Sequence, residues 1–146
     1  MMVALREGKQ GVQRGERPFG AAIYRWTGEE IAASCNTSVS TGNPAAHAEV
    51  NAITQAFQSL DRPTLADCWL LATAEPCPMC LSTAALAGIR FVAFGATHAV
   101  VKEAGYSELG LTGRELAKQF TADLTLQGSI LGNECVSFLL NNRKRD

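Results

Sequence analysis

Residues 68–94, CWLLATAEPCPMCLSTAALAGIRFVAF, read as strand, helix and strand in succession. Cys68 to Thr73 is a compact apolar run of strand length. Cys77 to Ala87 is rich in Ala, Leu and Met and stops at Gly88, the residue best suited to end a helix. Phe91 to Phe94 is apolar again. Strands that alternate with helices build a sheet with helices packed over it.

The alternation continues outward. Met2, Leu5, Lys9 and Val12 recur at near-helical spacing, with the Lys stem able to cover apolar surface, which predicts a short helix over residues 2–14. Phe19 to Trp26 and Glu30 to Thr37 are β-prone and flank Thr27-Gly28-Glu29, a hairpin pattern. A polar loop, Ser38 to Pro44, follows. Ala45 to Leu60 carries the stripe Val50, Ile53, Phe57 and Leu60 and ends before Pro63. Beyond the central unit, Gly95 to Leu111 reads as irregular. Thr112-Gly113-Arg114-Glu115 has the form of a capping box opening a short helix to Phe120. Leu124 to Gln127 is strand-like, and Asn133 to Asn142 is helical through Val136, Leu139 and Leu140. The order α-β-β-α-β-α-β-α-β-α predicts one α/β layered domain over residues 1–146, without repeats or linkers.

Composition narrows the function classes. The 146 residues are 47% apolar and 18% charged, enough for a real core and unlike a disordered chain. The 13 basic and 14 acidic residues leave a net charge of −1. That balance argues against a sequence-blind grip on nucleic acid, which requires many neutralised phosphates. A local basic cluster does exist at Arg143-Lys144-Arg145. No apolar run reaches the roughly 18 residues of a membrane span, and Met1 to Gly15 lacks the apolar centre of a secretory signal. A soluble cytoplasmic protein with no membrane partner is expected. Five cysteines, an odd number, make a disulfide framework a poor explanation.

Two short patterns carry the chemistry: His47-Ala48-Glu49 and Pro76-Cys77-Pro78-Met79-Cys80. Each falls at the expected start of a helix. Cys77 and Cys80 are three apart, so a helix turns both sulfurs to one face, and a helix N-terminus favours thiolate over thiol. Two thiolates and one imidazole leave a zinc ion one open position, as in catalytic rather than structural sites. A redox pair or half of a zinc ribbon are the competing readings. A ribbon needs a second pair, whereas Cys35, Cys68 and Cys135 stand alone in apolar segments as small buried hydrophobes. A redox pair has no need of the His-x-Glu helix. Glu49 reaches the site of His47 only from a first helical turn, where its carboxylate can relay protons at a zinc-bound water. A fourth zinc ligand or a favourable helix-start charge are the alternatives for Glu49.

With these residues in place, the sequence resembles the cytidine deaminase-like superfamily, whose signature is H-x-E…P-C-x-x-C. The resemblance runs from Pro18-Phe19-Gly20 to Asn133-Glu134-Cys135. Within it, Asn36, Ala46-His47-Ala48-Glu49 and Glu75-Pro76-Cys77-Pro78-Met79-Cys80 resemble the branch of guanine deaminases and transfer-RNA adenosine deaminases. It implies a three-layer α/β/α sandwich with a five-stranded mixed sheet, usually a homodimer. It further implies one zinc per chain on His47, Cys77 and Cys80, with Glu49 moving protons during hydrolytic deamination. Substrate contacts are implied at Asn36, Ala48 and Phe19. As bare residues, Asn36 is also an ordinary turn residue and Phe19 an ordinary core aromatic.

The segment His98 to Glu108 resembles guanine deaminases, in which an acidic residue matching Glu108 lies near the purine. Here Glu stands where those enzymes tend to have Asp, and a solvated loop acid is the alternative. A carboxylate there accepts from the ring N–H and amino group of guanine, a pairing adenine cannot offer. The Lys-Thr-Gly-Ala-Ala-Gly-type stretch of transfer-RNA enzymes is missing, although Leu124 to Leu140 resembles those enzymes more closely. The expected activity is therefore deamination of a free purine base or nucleoside, guanine foremost. The alternatives are transfer-RNA adenosine editing, with the basic C-terminal cluster on phosphates, and a non-catalytic zinc-binding module.

Overall fold

A computed structural model describes residues 1–106 and 109–144. Helix α1 (Met2–Gln13) leads into β1 (Gly20–Arg25) and β2 (Glu30–Cys35), then α2 (Ser38–Thr41) and α3 (Ala48–Leu60). Strand β3 (Cys68–Ala74), α4 (Pro78–Leu86) and β4 (Phe91–Ala96) form the central unit. Helices α5 (His98–Glu103) and α6 (Gly113–Ala117), strand β5 (Thr125–Gln127) and α7 (Gly132–Leu140) complete it. The expected order holds, with two short helices, α2 and α5, added inside segments expected to be irregular. The capping box at Thr112 is made in full: its hydroxyl accepts from the Glu115 N–H at 3.1 Å, and the Glu115 carboxylate accepts from the Thr112 N–H at 2.8 Å.

The sheet has the order β2-β1-β3-β4-β5. β1 runs antiparallel to both β2 and β3, whereas β3–β4 and β4–β5 are parallel. The sheet is thus mixed, as expected. Its register has a direct consequence for function. Gly20 at the start of β1 faces Cys35 at the end of β2, and Ala21 faces Ala72 near the end of β3. Phe19, Asn36, Glu75 and His98 therefore all emerge at one edge of the sheet. Open α/β sheets hold their ligands at the carboxyl ends of parallel strands, and β3 and β4 end there.

One core layer packs α3 and α4 on the sheet through Ala52, Ile53, Ala56, Leu81 and Ala84 against Ile23, Leu70 and Val92. The opposite layer joins α1, α5 and α7 through Leu5, Val101, Cys135, Phe138 and Leu139. The buried stripe of α1 is Ala4, Leu5, Gly8 and Gly11, so the expected stripe is displaced: Met2 and Lys9 are exposed. The reason is close approach. A side chain at Gly20 would overlap the Ala4 carbonyl oxygen and stand 2.6 Å from the Gly8 nitrogen. Backbone packs on backbone here, and small residues replace large ones. Trp26 and Trp69, whose place in core or interface the sequence leaves open, are exposed and both pack on Phe91, Trp26 edge to face and Trp69 stacked. Among the described residues no helix is long and apolar enough to cross a membrane.

The close approach of α1 to β1 is testable. Gly20→Ala is expected to lower the unfolding free energy by about 1–3 kcal/mol or more, the usual cost of overpacking, read from the urea midpoint.

Candidate active site

Two helix N-termini meet at this sheet edge. His47 is the N-cap residue of α3 and Cys77 that of α4, both with extended backbone. Pro78 at the first position of α4 has its fixed φ suited to helix entry. His47 Nδ1 lies 3.7 Å from Cys77 Sγ and 3.4 Å from Cys80 Sγ, and the sulfurs are 3.6 Å apart. Among the described residues these three form the one cluster of this kind able to hold a metal ion.

The spacing discriminates among metals and ligands. On a tetrahedral zinc, with bonds of about 2.3 Å to sulfur and about 2.0–2.1 Å to nitrogen, two sulfurs stand about 3.8 Å apart and sulfur and nitrogen about 3.5 Å. The observed triangle fits that ion, with Nδ1 as the imidazole donor. The soft N,S,S donor set excludes magnesium and calcium, which take oxygen.

The electrostatics already favour thiolate. Its hydrogen bond with Cys80 and the neighbouring His47 hold the Cys77 thiol down to about 4. The same bond and burial push Cys80 well above the ordinary thiol value. The pair thus retains one proton at neutral pH. His47 is raised, chiefly by its hydrogen bond to Cys77.

Glu49, in the first turn of α3, is buried, and that burial raises its carboxyl above the usual range, with the Cys77 charge adding to the effect. With Phe19, Asn36, His47, Cys77 and Tyr106 it lines a recess of about 60 Å³. The recess meets a wider cavity of about 250 Å³, whose wall includes Met79, His98, Leu109 and Leu111. The structure therefore gathers His47, Glu49, Cys77, Cys80, Asn36 and Phe19. Ala48, expected at the substrate, is fully buried in the α3–α4 core and lines neither cavity. Glu108 lies outside the described residues.

Asn36 is held with care. Its Oδ1 accepts from the Ser38 N–H at 2.9 Å and the Ser38 hydroxyl at 2.7 Å. A backbone N–H can only donate, so the oxygen end must face Ser38 and the Nδ2 end is turned the other way. The Glu16 carboxylate fixes the following turn by accepting from the Val39 and Ser40 N–H groups, both at 3.0 Å. Asn51 Nδ2 donates to the Cys35 carbonyl and Thr37 hydroxyl at 2.9 Å each, bracketing Asn36 from α3.

Sequence reasoning missed Arg17, Glu75 and Tyr106 as parts of the site. Glu75 is buried, and its carboxylate accepts from the N–H groups of His98 at 3.0 Å and Arg114 at 3.4 Å. It ties the starts of α5 and α6 to the Cys77 loop. Its place beside Pro76-Cys77 was visible in the sequence; its two partners lie 23 and 39 residues away and were not.

The proton retained on Cys80 must leave when a metal binds. Zinc affinity is therefore expected to fall as pH falls, by about tenfold or more per unit between about pH 8 and about pH 6, in chelator competition. Cys80→Ser is expected to weaken zinc retention in the same assay.

Comparison with known proteins agrees with this geometry. Residues 1–96 match the family described as cytidine and deoxycytidylate deaminase zinc-binding region. A tRNA(Ile)-lysidine synthase of Deinococcus radiodurans is 36% identical over 93% of this chain and 22% of its own length. A guanine deaminase of Bacillus subtilis is 40% identical over 68% of this chain, and a tRNA-specific adenosine deaminase of Aquifex aeolicus 41% identical over 66%. The two matches span 64% and 63% of the relatives' own lengths. Among solved structures, a guanine deaminase from Nitrosomonas europaea superposes with a TM-score of 0.87 at 26% identity, covering 96% of this chain and 80% of its own. A structure from work on A-to-I editing by tRNA:A34 deaminases gives 0.79 at 27% identity, covering 94% and 96%. The metal-competent triangle, the mixed five-stranded sheet and these matches agree, and the chain belongs to the cytidine and deoxycytidylate deaminase zinc-binding family.

Proposed function

We propose that this protein is a hydrolytic deaminase that releases ammonia from the ring amine of a free purine base or nucleoside, with guanine foremost. The observation that carries this reading is the recess itself. It brings a buried carboxyl, an oriented Asn amide and the His47–Cys77–Cys80 triangle around one small volume.

When bound by His47, Cys77 and Cys80, zinc supplies a Lewis acid that makes a nucleophilic water available at neutral pH. Glu49 performs the proton work. Its carboxylate takes a proton from the attacking water and delivers it to the amine, so water adds to the ring carbon, the C–N bond breaks and ammonia leaves. A carboxyl raised by burial suits both halves of that transfer, because the best relay titrates near the working pH. Asn36 Nδ2 donates to an acceptor on the ring and orients it. Phe19 packs at the recess wall, and Glu75 holds the loops that close the cavity without touching the reacting atoms.

Several observations favour a small substrate. Solved neighbours include complexes with 8-azaguanine and 2,6-diaminopurine. The cavity wall is largely apolar, with Pro44, Met79, Leu109 and Leu111, which suits a neutral planar ring better than a phosphate. Arg143, from the basic cluster considered for RNA, pairs with Glu103 at 2.6 Å. Against these stands the comparable identity to a tRNA-specific adenosine deaminase, which keeps editing of adenosine in transfer RNA as the second reading.

Purified zinc-loaded protein is expected to release ammonia from guanine. Glu49→Gln is expected to keep its zinc while kcat falls by about 10²- to 10⁴-fold, the usual contribution of general acid–base catalysis. Inosine formation in transfer RNA without ammonia from any free purine would replace the substrate; bound zinc with neither activity would leave a non-catalytic module.

A further inference from the structure

Tyr106 lines both the inner recess and the outer cavity. Its ring meets Phe19 edge to face, with centroids 5.2 Å apart and planes at 81°. No local pattern signals its surroundings: Glu103, Ala104 and Tyr106 bond to one distant segment, and Gly105 lies close against it. The Tyr106 hydroxyl donates to the Asn142 carbonyl at 2.8 Å. The Lys144 N–H donates to the Ala104 carbonyl at 2.9 Å. Arg143 pairs with Glu103. Gly105 has φ +84°, and a Cβ there would stand 3.1 Å from Lys144 Cβ.

We propose that Tyr106 forms the wall against which the substrate ring packs, and that segment 142–144 is the brace that sets its position. This rests on the purine reading of the recess given above. Tyr106 follows α5 and is bonded back to it through its N–H to the Val101 carbonyl at 3.0 Å, so movement of α5 moves the ring. The brace is rooted in the core. Asn142 continues α7 through its N–H to Leu139 and its Nδ2 to the Phe138 carbonyl at 2.7 Å, and Phe138 and Leu139 are buried against α1 and α5. The Arg143–Glu103 pair is more than half exposed on both sides and adds little. The hydroxyl and backbone bonds are directional, so they set the ring's position. A planar aromatic wall suits a planar heterocycle, whose face stacks without regard to its hydrogen-bonding edge. Asn36 and the recess then read the edge, while Tyr106 holds the face. Tyr106 is a binding residue in this scheme, and residues 142–144 are positioning residues that act through it.

The test uses the zinc-loaded wild type, Tyr106→Phe, Tyr106→Ala and a chain stopped after Asn141. Hydrogen exchange of residues 98–106, without any purine, reads the brace. The affinity for 8-azaguanine and the kcat and KM for guanine read the wall. The stopped chain is expected to exchange faster over residues 98–106 while keeping its zinc. Tyr106→Phe is expected to raise KM and the 8-azaguanine Kd about two- to tenfold, the worth of one net hydrogen bond, with kcat little changed. Tyr106→Ala is expected to weaken 8-azaguanine binding about five- to 100-fold, the range for loss of a stacking ring. Combining Tyr106→Phe with the stop is expected to add little, since both remove the same bond. Unaltered exchange in the stopped chain overturns the brace, and Tyr106→Ala that binds 8-azaguanine as tightly as wild type overturns the wall. Should the stopped chain fail to fold, Tyr106→Phe with unchanged exchange and KM overturns the brace instead. Wild-type protein that neither binds 8-azaguanine nor acts on guanine overturns the purine reading and the wall with it, while the exchange rates still decide the brace.

Discussion

The meeting of two helix N-termini at one sheet edge is the constraint on which the rest of the molecule depends. Each end carries unpaired backbone N–H groups and partial positive charge, which favour the anionic form of a nearby sulfur. The His47 imidazole and the two sulfurs then stand at the separations a tetrahedral zinc requires. Neither helix can shift without opening that triangle. α3 and α4 are locked in turn by the alanine-rich layer between them and the sheet.

Around this triangle the chain assembles a site from loops, each restrained by a polar side chain. Glu16 and Asn51 hold the turn that carries Asn36, and Glu75 gathers the starts of α5 and α6. These three residues share a physical logic. A loop has no ladder of its own, so its backbone N–H and C=O groups must find partners elsewhere when buried. Using side chains as those partners fixes the loop to within hydrogen-bond tolerance, which is the accuracy a binding site needs.

Much of the fold was legible because its signals are periodic and local. The βαβ unit at residues 68–94, the hairpin and the capping box at Thr112 are patterns within a few residues of one another. The elements that escaped, α2 and α5, are only four and six residues long, too short to show a helical stripe. They are held by Glu16 and Glu75 from other parts of the chain. The α1 stripe lies elsewhere for a related reason: hydrophobic periodicity expects large residues to face the core, whereas this helix packs through Ala4 and Gly8 against Gly20 and through Gly11 against Cys35.

The sequence by itself determined the chemistry of the centre. An imidazole and two thiols at helix starts specify a thiophilic metal site, with a carboxyl in the same first turn, because donor type and position within a helical turn are properties of the residues and their spacing. The tertiary structure decided which imidazole nitrogen faces the sulfurs, how Asn36 is turned, and that Glu75 and Tyr106 belong to the site. Those outcomes depend on contacts between segments far apart in the chain, and no local pattern encodes the distance or direction at which such segments meet.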